Sequence, residues 1–223
     1  MDRVNHGLNY KIISTGSKGN ALIIEDSILI DCGVSYKALE DEKFHIVFLT
    51  HEHGDHFNKS TLKRLAKERP LLRIACSNTL RSDVMHDCEV KGRQIDIIDP
   101  GKWYAYSYGS KLRARSFDLI HDVRNVGWLF EINGFWCMYA TDTATLEYVR
   151  GSGFKRLDYY FIEANYEEEE LEERLKAKLE ANEYTYEERV KRTHLSREQA
   201  DNWLSLYAGK DSKVIYLHQH EED

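Results

Sequence analysis

Strand-length apolar runs alternate with turn residues over the first part of the chain. "YKIIST", "ALIIED" and "SILIDCG" are rich in β-branched and apolar residues, and "GSKGN" and other Gly, Ser and Asn positions bound them, which predicts hairpin strands. "FHIVFLT" is a nearly continuous apolar strand. Behind it, "NKSTLKRLAKERP" sets Leu62, Leu65 and Ala66 at helical spacing and ends at Pro70. From residue 94 strands return as "QIDIID", "KLRARSFDLIH", "VGWLFEI", "FWCMYATD" and "DYYFIEA", with Asn133 and Gly134 as a hairpin turn. A charged helical segment is expected at about 166–192, carrying a thin stripe of Leu171, Leu175 and Leu179 and pairs such as Glu172 with Lys176. It reads as a solvated helix or as a dimer or substrate-covering element. "LSREQADNWLSLYA" predicts a helix with Ser196 and Gln199 spaced as a capping box, followed by a strand in "KVIYLHQH".

Two strand-rich halves, with helices after residues 57, 166 and 196, predict an α/β fold of two packed sheets with helices outside, a four-layer arrangement. A chain of 223 residues without a low-complexity linker is expected to be one domain, 1–223. Apolar residues at 42% and charged residues at 31% fit a folded globular chain and exclude a disordered one. The net charge of -7 argues against broad attraction to nucleic acid or an anionic membrane, while leaving room for a local basic groove. The amino-terminal residues lack the apolar core of a signal peptide, and no membrane-length apolar run occurs, so a cytoplasmic location without membrane partners is expected. Cys32, Cys76, Cys88 and Cys137 are scattered with no C-x-x-C pair, which predicts buried thiols.

The chemistry concentrates in "VFLTHEHGDHF", where His51, His53, Asp55 and His56 fall on a loop between a strand and a helix. Imidazoles at i,i+2 on an extended loop can converge on one point, and the Asp-His pair can begin a second. Imidazole and carboxylate together suit zinc and other late first-row ions in a site that keeps a position open for water. Four ligands are few for two ions, and His121, Asp142 and His218 stand at other strand ends. His220, two positions after His218, would face the same side of an extended chain and is the alternative last ligand. His6, His45 and His86 have no partner motif and read as solvated or core histidines.

"HEHGDH" resembles the H-x-H-x-D-H motif of the metallo-β-lactamase superfamily, and Asp31 in "LIDCG", His121, Asp142 and His218 fall where its other motifs belong. The resemblance implies a four-layer αββα sandwich and a hydrolase with two divalent metal ions, zinc or alternatively manganese. It implies that His51, His53 and His121 hold one ion, that Asp55, His56 and His218 hold the other, and that Asp142 bridges them. Asp31 would orient a ligand by hydrogen bonding. Two such ions can hold a bridging hydroxide as nucleophile.

"STGSKGNALIIED", "LIDCGVSYKAL", "FIEANYEEE", "KRTHLSREQADNWL" and "VIYLHQH" together are similar to the YycJ/WalJ branch of that superfamily. Ala164, Thr193 and the "HQH" ending depart from the branch pattern. The branch implies a phosphodiester hydrolase, a nuclease resembling a DNA exonuclease. By resemblance to related phosphodiesterases, His194 paired with Glu163 would act beside Asp55 as catalytic groups, His194 protonating the departing alkoxide. Lys191 and Arg192 would contact phosphate or stay as exposed charge. Three substrate classes stay open: a nucleic acid; a cyclic nucleotide or other small phosphodiester; and a lactam or thioester. A homodimer is also open.

Overall fold

The computed structural model describes residues 7–107 and 111–218, so His6 and His220 lie outside the described residues. The chain divides into two compact units. One runs through Asp99 and takes in Tyr104–Leu112; the other comprises Pro100–Trp103 and the chain from Arg113 onward.

The first unit carries a six-stranded sheet in sequence order, β1 (Tyr10–Ser14), β2 (Ala21–Ile24), β3 (Ile28–Ile30), β4 (Ile46–Phe48), β5 (Arg73–Cys76) and β6 (Ile95–Ile97). The first three strands are antiparallel, as the turn-bounded runs predict, and the β3, β4, β5 and β6 neighbours are parallel. Helix α1 (Lys59–Glu68) makes the β4 to β5 crossover and starts at Asn58, whose side chain accepts a hydrogen bond from the Thr61 amide. Its Leu62, Leu65 and Ala66 bury against Leu29, Val47, Leu49 and Ile74 of the sheet. Strand β5 has no counterpart in the sequence reading: four residues behind Pro70 and two leucines give too short a pattern to identify.

The second sheet runs β12, β11, β10, β9, β8, β7, again in sequence order. Its strands are β7 (Tyr104–Ser107), β8 (Lys111–Leu119), β9 (Asn125–Ile132), β10 (Phe135–Ala140), β11 (Tyr159–Glu163) and β12 (Lys213–Leu217). The β9–β10 hairpin turns at Asn133 and Gly134, both at positive φ, and pairs Ile132 with Phe135 as the "NG" signal predicts. Strands β10, β11 and β12 are mutually parallel, so three consecutive carboxyl ends emerge on one edge of this sheet. Helix α4 (Arg197–Tyr207) opens on the expected capping box of Ser196 and Gln199 and packs Ala200, Trp203 and Leu204 on Leu129, Met138, Tyr160 and Ile162.

The charged segment departs from the single helix expected at about 166–192. It forms α2 (Glu168–Glu180) and α3 (Glu187–Thr193), broken where Asn182 takes a φ of 55°. Of the expected stripe only Leu171 is buried, and Leu179 stays 62% exposed, so α2 is a solvated helix over most of its length. Glu172 bonds Lys191 of α3 at 2.8 Å rather than forming the expected pair with Lys176. All four cysteines are buried free thiols, as expected.

Close backbone packing holds the histidine loop in the first unit. The Asn20 N–H donates to the Asp55 carbonyl at 2.6 Å, the Gly33 N–H to the Asn20 carbonyl at 3.0 Å, and the Cys32 N–H to the His56 carbonyl at 2.9 Å. A Cβ on Gly33 would lie 1.7 Å from the Asp55 carbonyl oxygen, so only glycine lets these three segments meet. We expect Gly33→Ala to cost about 1–3 kcal/mol of stability, the range for forced overpacking, read as a lowered urea midpoint. An unchanged midpoint would contradict this packing.

Candidate metal centre

In the first unit the centre is built on Asp31, the residue immediately after β3. It is fully buried and held at a φ of 58°, a backbone region that costs any residue with a Cβ some strain. A buried carboxylate needs donors, and Asp31 has three: the Thr50 amide at 2.9 Å, the Thr50 hydroxyl at 2.8 Å and His56 Nδ1–H at 2.7 Å. Because the Thr50 hydroxyl spends its proton on Asp31, it accepts from His51 Nδ1–H at 3.0 Å. One carboxylate thus fixes the tautomer of two histidines and leaves Nε2 of each as the atom that could hold an ion.

Asn20 completes the arrangement. Its Nδ2 amide lies 2.8 Å from His56 Nε2, 3.0 Å from the Gly16 carbonyl and 3.2 Å from the Asp55 carbonyl. Two hydrogens face three acceptors, so His56 Nε2 can exchange this bond for an ion while Asn20 keeps both hydrogens occupied. The His51 ring lies 4.7 Å from that of His53 and 4.3 Å from that of His56, centroid to centroid, and Asp55 Oδ2 lies 3.8 Å from His56 Nε2. The motif residues His51, His53, Asp55 and His56 therefore gather at the carboxyl end of β4, and their donor chemistry fits a borderline divalent cation. His45 and His86 are exposed and stand outside this group.

In the second unit the sheet edge brings His121, Asp142, Glu163, His194 and His218 together. Asp142 and His218 each follow a strand directly or by one residue, and both adopt positive φ, 55° and 56°. Asp142 is held through its backbone: the Asn125 amide donates to the Thr141 carbonyl at 2.9 Å and to the Asp142 carbonyl at 2.7 Å. His121 Nδ1–H donates to the Thr193 carbonyl at 2.9 Å, which again turns Nε2 outward, here beside Asp122 at 3.2 Å.

Glu163, fully buried at the end of β11, is the hub. Oε2 accepts the Thr143 amide at 2.9 Å and the Leu195 amide at 3.3 Å, and Oε1 accepts from His194 Nδ1 at 2.7 Å and His218 Nδ1 at 3.0 Å. His218 Nδ1 also lies 2.9 Å from Asp142 Oδ1, and Asn165 donates to the His218 carbonyl at 3.2 Å. Asp142, Glu163, His194 and His218 each offer a ligand atom within 4.8 Å of the others. Burial raises the Glu163 pKa, but its bonds to His194 and His218 outweigh that and hold it below the usual glutamate value. Burial lowers the His218 pKa, yet Asp142 and Glu163 overcome it and push it up to about 10; His194 is raised against the same opposition by Glu163.

The sequence-predicted residues thus gather unit by unit: Asp31, His51, His53, Asp55 and His56 in one, and His121, Asp142, Glu163, His194 and His218 in the other. Asn20, Thr50, Asn125, Thr143 and Asn165 were missed. Their signal is faint: a buried polar residue at the start of an apolar strand, such as Asn125 before "VGWLF", has no local reason to be there unless a bond holds it. Lys191 is tied to Glu172 on the solvated helices.

Comparison with known proteins identifies the family and the fold. A family model described as a beta-lactamase superfamily domain matches residues 26–218. The exodeoxyribonuclease WalJ of Streptococcus pneumoniae is 26% identical over 233 residues, covering 95% of this chain and 81% of the relative. Among solved structures, the short form of human tRNase Z superposes with a TM-score of 0.64 at 16% identity, covering 94% of this chain and 92% of the other. Zinc-bound PqqB from Methylobacterium extorquens gives 0.68 at 13% identity, with 94% and 88% covered. A diphosphatase of the PhnP family gives 0.62 at 13% identity, with 94% and 86% covered.

Asn125→Ala would remove the amide that donates to the Thr141 and Asp142 carbonyls. We expect a loss of about 1–3 kcal/mol in chemical denaturation, together with reduced metal retention on dialysis. Wild-type stability would show that this amide does not hold the Asp142 turn.

Proposed function

The chain belongs to the beta-lactamase superfamily, whose fold houses metal-dependent hydrolases, and from that premise we propose that it hydrolyses phosphodiester bonds, as a nuclease acting on nucleic-acid strands. The observation that carries this reading is the buried Glu163 carboxylate bonded to His194 at 2.7 Å, beside Asp142. With Nδ1–H committed to Glu163, His194 presents Nε2 at a side chain 19% exposed, where it can hold a proton for a departing alkoxide. An alkoxide leaving phosphorus is a poor leaving group and gains from that proton. The relatives named exodeoxyribonuclease and tRNase Z point the same way.

In this reading the two units act as one hydrolase domain. The proposed ligands are His51, His53 and His121 for one ion, Asp55, His56 and His218 for the other, and Asp142 for both. Two divalent ions, zinc or manganese, would supply Lewis acidity and lower the pKa of water toward neutrality. Asp31, Thr50 and Asn20 orient the first set of imidazoles; Asn125 holds the Asp142 turn, and Thr193 orients His121. Asp55 is proposed to serve the reaction as well as the ion. The proposed location is the cytoplasm; among the described residues no helix is long and apolar enough to cross a membrane.

A second reading, turnover of a cyclic nucleotide or other small phosphodiester, is favoured by the net charge of -7, since a mononucleotide needs no long electropositive groove. Thioester hydrolysis releases a thiolate, which departs without a proton and needs no paired Glu163 and His194.

Two substitutions test the proposal. Asp142→Ala is expected to abolish turnover, with the metal content falling alongside it; full activity would contradict a shared ligand. His194→Ala is expected to slow an alkyl phosphodiester by about 10²–10⁴-fold, the range for general acid catalysis, and a p-nitrophenyl ester far less, because p-nitrophenolate leaves without a proton. Equal losses on both substrates would remove the acid role.

A further inference from the structure

The first unit carries a cavity of about 310 Å³ beside the carboxyl-terminal half of α1, lined among others by Lys63, Lys67, Lys91, Arg93 and Glu89. Four cations and one carboxylate surround it in a chain of net charge -7. Glu89 is committed to Lys63 at 2.5 Å. Nearby carboxylates are likewise taken: Asp83 and Asp87 by Lys59, Glu68 by Arg64, and Asp96 by Arg73. Lys67, Lys91 and Arg93 are exposed and have no carboxylate partner among the described residues.

Helix electrostatics explain only part of this. Lys67 in the last turn of α1 complements the negative end of the helix, but Lys63 and Lys67 four residues apart repel, and Lys91 and Arg93 lie on a different segment. That segment is fixed in place. The buried Gln94 amide lies 3.2 Å from the Ala66 carbonyl and 3.3 Å from those of Arg69 and Leu72, pinning the Arg93 turn to the end of α1. Three exposed cations thereby line one recess, and a bound polyanion would relieve the repulsion among them.

We propose that this cluster docks the phosphate backbone of a nucleic-acid strand. The inference rests on the phosphodiesterase reading and narrows its substrate to an oligonucleotide. Helix α1 begins directly behind the histidine loop, and Lys67 stands eight residues beyond Lys59, about 12 Å along the helix axis. A strand engaged at the loop reaches that far along α1; a mononucleotide does not. The acidic chain therefore carries a basic footprint on the unit that holds the H-x-H-x-D-H loop.

The test compares metal-loaded wild-type protein with the Lys67→Glu, Lys91→Glu, Arg93→Glu triple variant. Binding of labelled 5'-phosphorylated single-stranded DNA and RNA is measured between about 50 and 200 mM salt, and bis-p-nitrophenyl phosphate turnover is followed in parallel. Loss of three phosphate contacts should lower the salt slope by about 2 and weaken binding at least about tenfold at low salt, with turnover of the small ester unchanged. DNA and RNA affected alike would mark backbone recognition. An unchanged salt slope overturns the proposal, as does wild-type protein that binds neither strand. Strand binding without any phosphodiester turnover would sink the functional reading while leaving the docking surface standing. If the reversed variant unfolds, Lys67→Gln, Lys91→Gln and Arg93→Gln together read the same slope.

Discussion

A carboxylate without water must be given donors, and two such carboxylates organise this protein. Asp31 and Glu163 are both fully buried at the carboxyl ends of strands, β3 and β11. An uncompensated charge there would cost several kcal/mol, comparable with the whole stability of a domain. Each unit answers with backbone amides and histidines: Thr50 and His56 on Asp31, and Thr143, Leu195, His194 and His218 on Glu163. The bonds that make burial tolerable also aim the imidazoles, so stability and site geometry have one origin.

The backbone shares the load. Asp31, Asp142 and His218 all take positive φ just past a strand. Such conformations are held only where surrounding bonds over-determine them, and here those bonds are visible: Thr50 on Asp31, Asn125 beneath Asp142, Asn165 on the His218 carbonyl. The parallel strands set the stage, since they deliver their carboxyl ends to one edge of each sheet.

Much of this was legible in the chain. The H-x-H-x-D-H spacing, the strand-end positions of His121, Asp142 and His218, and the resemblance at Glu163 and His194 named the residues, and the α/β class and metallo-β-lactamase fold hold. What escaped was set by distance in sequence. Asn125 bonds a turn sixteen residues away, and Asn20 bonds His56 across thirty-six, so no local pattern carries them. The charged segment misled for a related reason. Its charged composition hides a break between Glu180 and Glu187, where Asn182 takes an αL turn and α3 then returns Thr193 to His121. Strands β5 and β7 are four residues each and too short for periodicity to single out.

Phosphodiester hydrolysis at a metal centre is tested by assaying the metal-loaded and chelated forms side by side. The substrates are 5'-phosphorylated DNA and RNA oligonucleotides, cyclic mononucleotides, a lactam and a thioester. Metal-dependent shortening of the oligonucleotides is the expected result. Turnover of the lactam or thioester, with every phosphodiester left intact, would contradict it.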